Sequence, residues 1–340
     1  MYKIPFKNIN EIKEISGWMN INYEFDNLSS SIVLSVNFII DVVGQAVYDL
    51  AITHYESAEY GTGGTEIIKR LDLLVKYVQV PLWYFAFNDY MPFAQVLIDN
   101  DGIHVVKEEG RTAAYKYLTD SISHSTLQHA YNYSDILINF LDANKTHFTQ
   151  WTDSDQFKES KTLFFNIAKD FSKYFNINNS SYFFIHLRNF IREVEDIEIY
   201  TRLGITLFNE IKAQILCDDL SDPNKIILDK IKRALAFKVM QLAITRLAIE
   251  VLPNGVFQNY ISDQAPATKA SVPAAEDLKA KASLTIGSTG DRYLLNLEAH
   301  LVSIAEETAE EAGEEYVATD YTEIVPDLTT KFENKKFMSL

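Results

Sequence analysis

The sequence has one cysteine, 12 glycines and 8 prolines in 340 residues. A single thiol, Cys217, rules out an internal disulfide framework and fits a reducing compartment; its neighbours Ile215 and Leu216 mark it as a core position. Glycine and proline this sparse suit helices better than many short strands and turns. The opening Met1-Tyr2-Lys3-Ile4-Pro5-Phe6 lacks the apolar run and small-residue cleavage site of a secretion signal. No long apolar run is free of polar interruption. Residues 32–51 include Asn37, Asp41, Gln45 and Asp49, and residues 71–98 include Lys76, Gln79, Asn88 and Asp89. Lipid would penalise both, so buried helices of a soluble protein are expected and no membrane partner. Basic charge is short too. Against 47 acidic residues stand 31 basic ones, a net charge of -16 that repels phosphate backbones and speaks against specific nucleic-acid binding.

What is present is apolar and aromatic: 47% hydrophobic residues, with 21 Phe and 19 Tyr, enough to fill cores and subunit interfaces alike. A short helix is expected over 10–19 with Asn10 as cap. After Ser29-Ser30-Ser31, the residues Val36, Ile39, Ile40, Val43, Val47, Leu50 and Ala51 recur at three- and four-residue spacing, predicting one helix over 32–55. Gly61-Thr62-Gly63-Gly64 stops it. Thr65 opens a second, in which Pro81 and Pro92 are expected to kink or break the chain. A third runs over 112–144, with a break near 121–125. Helices follow over 155–174, over 180–217 with an interruption near Gly204, and over 224–252. In the last, Leu228, Leu235, Leu242 and Ile249 fall seven apart, opposite Lys230, Arg233 and Arg246. Beyond 262 a linker rich in Ala, Pro, Thr and Ser leads to a helix over 275–283. A polar loop at Gly287-Ser288-Thr289-Gly290, a helix over 291–313 and an extended tail complete the reading.

Two short stretches break the helical pattern. Asp99-Asn100-Asp101-Gly102 is a strong turn before Ile103-His104-Val105-Val106, which reads as a β-hairpin or a single extended strand. Pro253-Asn254-Gly255 is followed by Val256-Phe257-Gln258-Asn259-Tyr260-Ile261, which also reads as extended. The fold class is therefore mainly α: two helical-bundle modules, each with a short hairpin or extended segment, plus extended terminal arms. The divisions are an N-terminal arm at 1–28, a first module at 29–150, a second at 151–262, and a linker, acidic helix and tail at 263–340. Leu71-Asp72 aligns with Leu228-Asp229, Val96-Leu97 with Val251-Leu252, and Gly102 with Gly255. This order is that of a module present twice, although helices of similar length also align by chance.

No catalytic constellation stands out, and no cofactor or metal is expected. Gly61-Thr62-Gly63-Gly64 lies between helices, and no Gly-Lys-Ser/Thr follows it. None of the seven histidines pairs at the four-residue spacing of a zinc-protease helix, and no glutamate stands three residues before a histidine. The strongest charge feature is acidic. Residues 298–327 hold ten acids and no Lys or Arg, either a solvated face or an arm for a basic surface such as Lys230-Arg233 of a neighbouring copy.

The long apolar helix that ends at a turn before Leu97-Ile98-Asp99-Asn100-Asp101-Gly102-Ile103-His104-Val105 is similar to a pattern in head-tail connector (adaptor) proteins of tailed bacteriophages. Ile9-Asn10-Glu11-Ile12-Lys13 resembles that group's usual start. The likeness covers residues 1–118 and, more faintly, 180–262. It implies a non-catalytic virion structural protein, assembled in the host cytoplasm, forming a homo-oligomeric ring between portal and tail proteins. The residues expected at the assembly interface are Gly102, Ile103, His104, Val105, Gly255, Val256 and Phe257, pairing with neighbours by strand addition. The competing reading is a cytoplasmic helical scaffold or regulatory binding module unrelated to phage.

Overall fold

The computed structural model describes residues 2–17, 24–99, 102–105, 116–217, 219–247, 249–252, 255–258 and 276–312, and the architecture is mainly helical. The first helix, α1 (Ile9–Ser16), starts one residue before the expected cap: the Asn8 side chain accepts from the Asn10 amide at 2.9 Å. Phe6 and Ile12 are buried in the first core, so this stretch is packed against the module rather than standing off as an arm.

The helix expected over 32–55 is two helices, α2 (Phe25–Val43) and α3 (Gln45–Glu56). Gly44, at φ 86° and ψ 155°, turns the chain in a region that glycine alone enters cheaply. α2 buries Leu28, Ile32, Val36, Ile39 and Val43. By length and composition it is the one helix among the described residues that could cross a membrane; here one face packs into the first core while Leu34 and Phe38 stay exposed. α4 (Glu66–Tyr90) is capped by Thr65, whose hydroxyl accepts from the Ile68 amide. It runs unbroken through Pro81 and ends before Pro92. From Val78 to Phe87 every residue is buried, and this all-round packing outweighs the ~3 kcal/mol that an internal proline costs. α5 (Lys116–Ala143), continuous where a break was expected, closes the first core with Ala130, Leu137 and Leu141.

The chain next forms short pieces in place of a helix over 155–174: α6 (Thr149–Thr152), α7 (Asp155–Lys161) and α8 (Ala168–Ser172). Trp151, read as a boundary, is buried in the first core and donates from Nε1 to Asp142 at 2.9 Å. Asn178 and Asn179, both at positive φ, turn the backbone into α9 (Ser181–Val194), whose cap is Ser180. A π-helical turn at residues 195–199 leads into α10 (Tyr200–Cys217), which Gly204 (φ 71°, ψ 164°) breaks into two helical pieces. Cys217 is exposed, not buried.

α11 (Asp222–Arg246) buries Ile227, Ile231, Leu235 and Val239. The expected helix to 252 stops early, and Ile249–Leu252 is strand instead. α12 (Glu276–Ala312) is continuous through Gly287-Ser288-Thr289-Gly290, so the expected polar loop is helix. Its extent follows from packing: Leu294 and Leu297 are buried in the second core, which makes α12 part of the second module rather than an appendage. The glycines let α12 approach α11, since a Cβ on Gly287 would stand 2.3 Å from Gln241 Nε2.

The two cores meet along α5 and α9. Tyr131 and Tyr182 stack at 4.9 Å, and Asp135 accepts from the Tyr182 amide at 2.6 Å and the Ser180 hydroxyl at 3.3 Å. Asp135 thus sits at the N-terminus of α9, where a carboxylate is favoured.

Candidate functional site

Two-stranded antiparallel sheets follow two helices of equal length, α4 and α11. β1 (Val96–Asp99) pairs with β2 (Gly102–Val105) in the register Val96 with Val105 and Asp99 with Gly102. β3 (Ile249–Leu252) pairs with β4 (Gly255–Gln258), Ile249 with Gln258 and Leu252 with Gly255. The pairs have the same strand lengths and the same two-residue connection. β1 follows α4 and β3 follows α11, each a helix of 25 residues. The expected interface residues Gly102, Ile103, His104, Val105, Gly255, Val256 and Phe257 all fall on β2 or β4, while Val106 and residues 259–261 lie outside the described residues. The structure therefore places their backbones together within each sheet and leaves the two sheets as separate sites. Each sheet has only two strands, so among the described residues each strand keeps one edge without a strand partner.

The body holds three polar groupings that the sequence did not suggest. Deep in the second module, Glu195 of the π-helical turn meets Lys212 of α10 at 2.6 Å and accepts from the Phe164 amide at 2.6 Å. Lys212 also donates to the Thr162 carbonyl and lies 3.8 Å from the centre of the Phe164 ring. Burial pushes the Glu195 carboxyl up and the Lys212 ammonium down, each opposed by the other's charge. With both carboxylate oxygens engaged, this is a clasp holding the 162–164 loop to α10.

In the first module, buried His54 meets Asp72 through Nε2 at 2.7 Å, and the Gly61 amide donates to the same carboxylate oxygen. The edge of Tyr60 packs on the His54 ring, and Tyr55 donates to Glu11 at 2.6 Å. His54 and Asp72 pin the Gly61 loop to α4.

The third grouping lies where the modules join. A cavity of about 500 Å³ is bordered by Asp142, Lys145, Trp151, Lys161, Lys169 and Arg188, among others. Arg188 is only 7% exposed, and its Nε has no hydrogen-bond partner. Burial pulls its pKa down to about 10, countered by Glu159 and Asp142, so it remains a cation at neutral pH. Burial raises the Asp142 carboxyl, while the Trp151 hydrogen bond and the charges of Lys161, Lys145 and Arg188 oppose the rise. Arg188 had a legible signal: it occupies the apolar stripe of α9 with Phe184, Leu187 and Ile191, where a cation is out of place. Among the described residues no three His, Cys, Asp or Glu side chains are grouped to hold a metal.

A family model, described as a family of unknown function (DUF6712), matches residues 39–161 and 199–309. The chain belongs to this family. Each matched segment of the DUF6712 chain contains a glycine break between helices, a 25-residue helix, a two-stranded sheet and a following helix. No curated protein and no solved structure matches the chain.

Proposed function

We propose that this DUF6712 chain is a non-catalytic assembly protein made of two copies of one helix-hairpin-helix module, and that it forms a homo-oligomeric ring of the head-tail connector kind. The observation that carries the reading is the recurrence of one construction: a 25-residue helix leads into a sheet of two four-residue strands, in both halves. The strand alignment pairs Val96 with Ile249 and Gly102 with Gly255, so the sequence match of Val96 to Val251 is displaced by two residues within the same strand. The family match to both segments supports the duplication.

A two-stranded sheet on its own is marginal in water, and its open edges accept a further strand. Docking of these edges on neighbouring copies, or on portal and tail proteins, satisfies their backbone groups and sets the copies in fixed register. The body would act by geometry, as a rigid helical support. The apolar surface on α2 fits a protein that works in contact with others: Leu34 and Phe38 are exposed, with Phe38 stacked on Phe85 at 5.0 Å.

Light scattering coupled to size exclusion, followed by negative-stain microscopy, tests the proposal. Rings are expected from the unaltered chain. Replacing Ile103 and Val105 with Asp, and separately Val256 and Phe257, should leave the helical spectrum and melting point nearly unchanged while abolishing rings or incorporation into particles. A chain that stays monomeric at every concentration, with and without portal or tail protein, overturns the connector reading and leaves the helical scaffold. Unfolding of the variants would place these strands in the chain's own core.

A further inference from the structure

The cavity at the module junction is chemically unlike the rest of this acidic chain. Four of its bordering side chains are cations, Lys145, Lys161, Lys169 and Arg188, against one carboxylate, Asp142. Among the described residues none of the four makes an ion pair; Lys161 lies 5.0 Å from the centre of the Phe157 ring. Gathered without local counter-ions these cations repel one another, although the chain as a whole has carboxylates in excess.

Arg188 adds the independent observation. A guanidinium carries five donors in a fixed fork and no acceptor, and it is seldom buried unless paired. Here it is almost wholly buried at the wall of the cavity with Nε unsatisfied, a state that is destabilising when nothing compensates it. Asp142 already accepts from Trp151, and the lysines draw on the same carboxylate. The wall therefore offers more positive charge and more donors than its own acids can use.

We propose that this cavity is an oxyanion site, in which Arg188 grips a phosphate or carboxylate group and Lys145, Lys161 and Lys169 supply the surrounding positive field. Arg188 provides the directional contact, because its planar fork matches two oxygens of either group. Lys145 and Lys169, exposed at the mouth, raise the local anion concentration and make binding sensitive to salt. Trp151 forms part of the apolar wall, which strengthens the charge contact by excluding water. The oxyanion has two possible sources, a free small molecule or a glutamate on a polypeptide such as the exposed Glu306, Glu307 and Glu310 of a second copy. The site does not depend on ring formation.

Isothermal titration of the full chain at low ionic strength distinguishes these sources with two probes: inorganic phosphate, and the peptide Glu-Glu-Thr-Ala-Glu-Glu-Ala, which is residues 306–312. One site per chain is expected for at least one probe, weakening steeply as sodium chloride is added. Phosphate without peptide identifies a small-molecule site, and tighter peptide binding identifies an acidic segment. Arg188→Met should abolish binding, and the paired exposed changes Lys145→Gln and Lys169→Gln should weaken it several-fold without altering the melting temperature. No binding of either probe to the unaltered chain overturns the proposal and leaves Arg188 as a structural partner of Asp142. Unchanged affinity in the rim variant also overturns it, and that arm stands even where Arg188→Met fails to fold.

Discussion

Gly44 and Gly204 hold the same uncommon backbone conformation, φ 86° with ψ 155° and φ 71° with ψ 164°. Each stands between two helices that precede a 25-residue helix and a two-stranded sheet. In this region a side chain collides with its own backbone, so the break between helices is set by the absence of a Cβ rather than by a turn sequence.

Both glycines should therefore resist replacement, for separable reasons. A Cβ on Gly204 meets nothing within 4 Å, so Gly204→Ala isolates the backbone cost, about 1–3 kcal/mol. A Cβ on Gly44 would also lie 2.9 Å from Gln156 Oε1 and 3.2 Å from Ser154 Cβ. Gly44→Ala should lose more stability than Gly204→Ala in urea denaturation. Equal and negligible losses would mean that both joins relax into continuous helix.

The glycines of α12 act by proximity, not by dihedral angle. A Cβ on Gly290 would come 2.8 Å from Lys238 Cδ, and on Gly287 within 2.3 Å of Gln241. Those neighbours are flexible side chains, so alanine should cost little, with a helix-propensity gain of about 1 kcal/mol offsetting the displacement. Leucine cannot be absorbed in this way. Gly287→Leu and Gly290→Leu should each cost about 1–3 kcal/mol and speed amide exchange along α12. Unchanged exchange would show that α12 does not rely on close approach to α11.

The Glu195-Lys212 clasp should be far more sensitive to the loss of one partner than of both. Lys212→Met leaves a buried carboxylate with only the Phe164 amide, at a cost of about 3–5 kcal/mol. Adding Glu195→Leu to Lys212→Met should recover much of that loss, a sign of coupling that a double-mutant cycle in urea measures directly. Additive losses would mean the two charges are screened from each other.

How much of this was legible in the sequence depended on whether the deciding force was local. The stripes Ile32-Val36-Ile39-Val43 and Ile231-Leu235-Val239 announced their helices because helical period and burial agree there. Gly44 carries no such signal, because the apolar spacing continues across it on both sides. Gly287-Ser288-Thr289-Gly290 differs in the opposite sense: its residues favour turns in isolation, and only α11 makes small residues useful there. Residues 249–252, Ile-Glu-Val-Leu, are too few for periodicity to assign to strand or helix. Of the candidate sites, the turn at Gly102 and the segment at Gly255 were readable from turn chemistry. The junction cavity was not, because Asp142, Lys161 and Arg188 come from separate elements brought together by packing. Only Arg188, a cation within the apolar stripe of α9, carried a signal of its own.

The module junction should weaken in acid through His186. This residue lies on α9 and packs against Tyr182 at 4.8 Å, with Asp41 and Arg188 as the charges acting on it. Burial is the main cause that lowers its pKa from the ordinary 6.5; Asp41 opposes the shift and Arg188 adds to it. The sign follows from proton counting. Between the lowered folded value and 6.5, the unfolded chain binds a proton that the folded chain refuses, so acidification favours unfolding. Stability is thus complete above the unfolded value and declines as pH falls through the window below it. His186→Phe keeps a ring against Tyr182 and has no proton to bind. In thermal melts stepped from pH 7.5 to 5.5, the unaltered chain should lose stability more steeply than His186→Phe, most visibly in the fluorescence of Trp151 near the junction. Parallel pH profiles for the two proteins would show that His186 takes up its proton as readily in the folded chain as in the unfolded one.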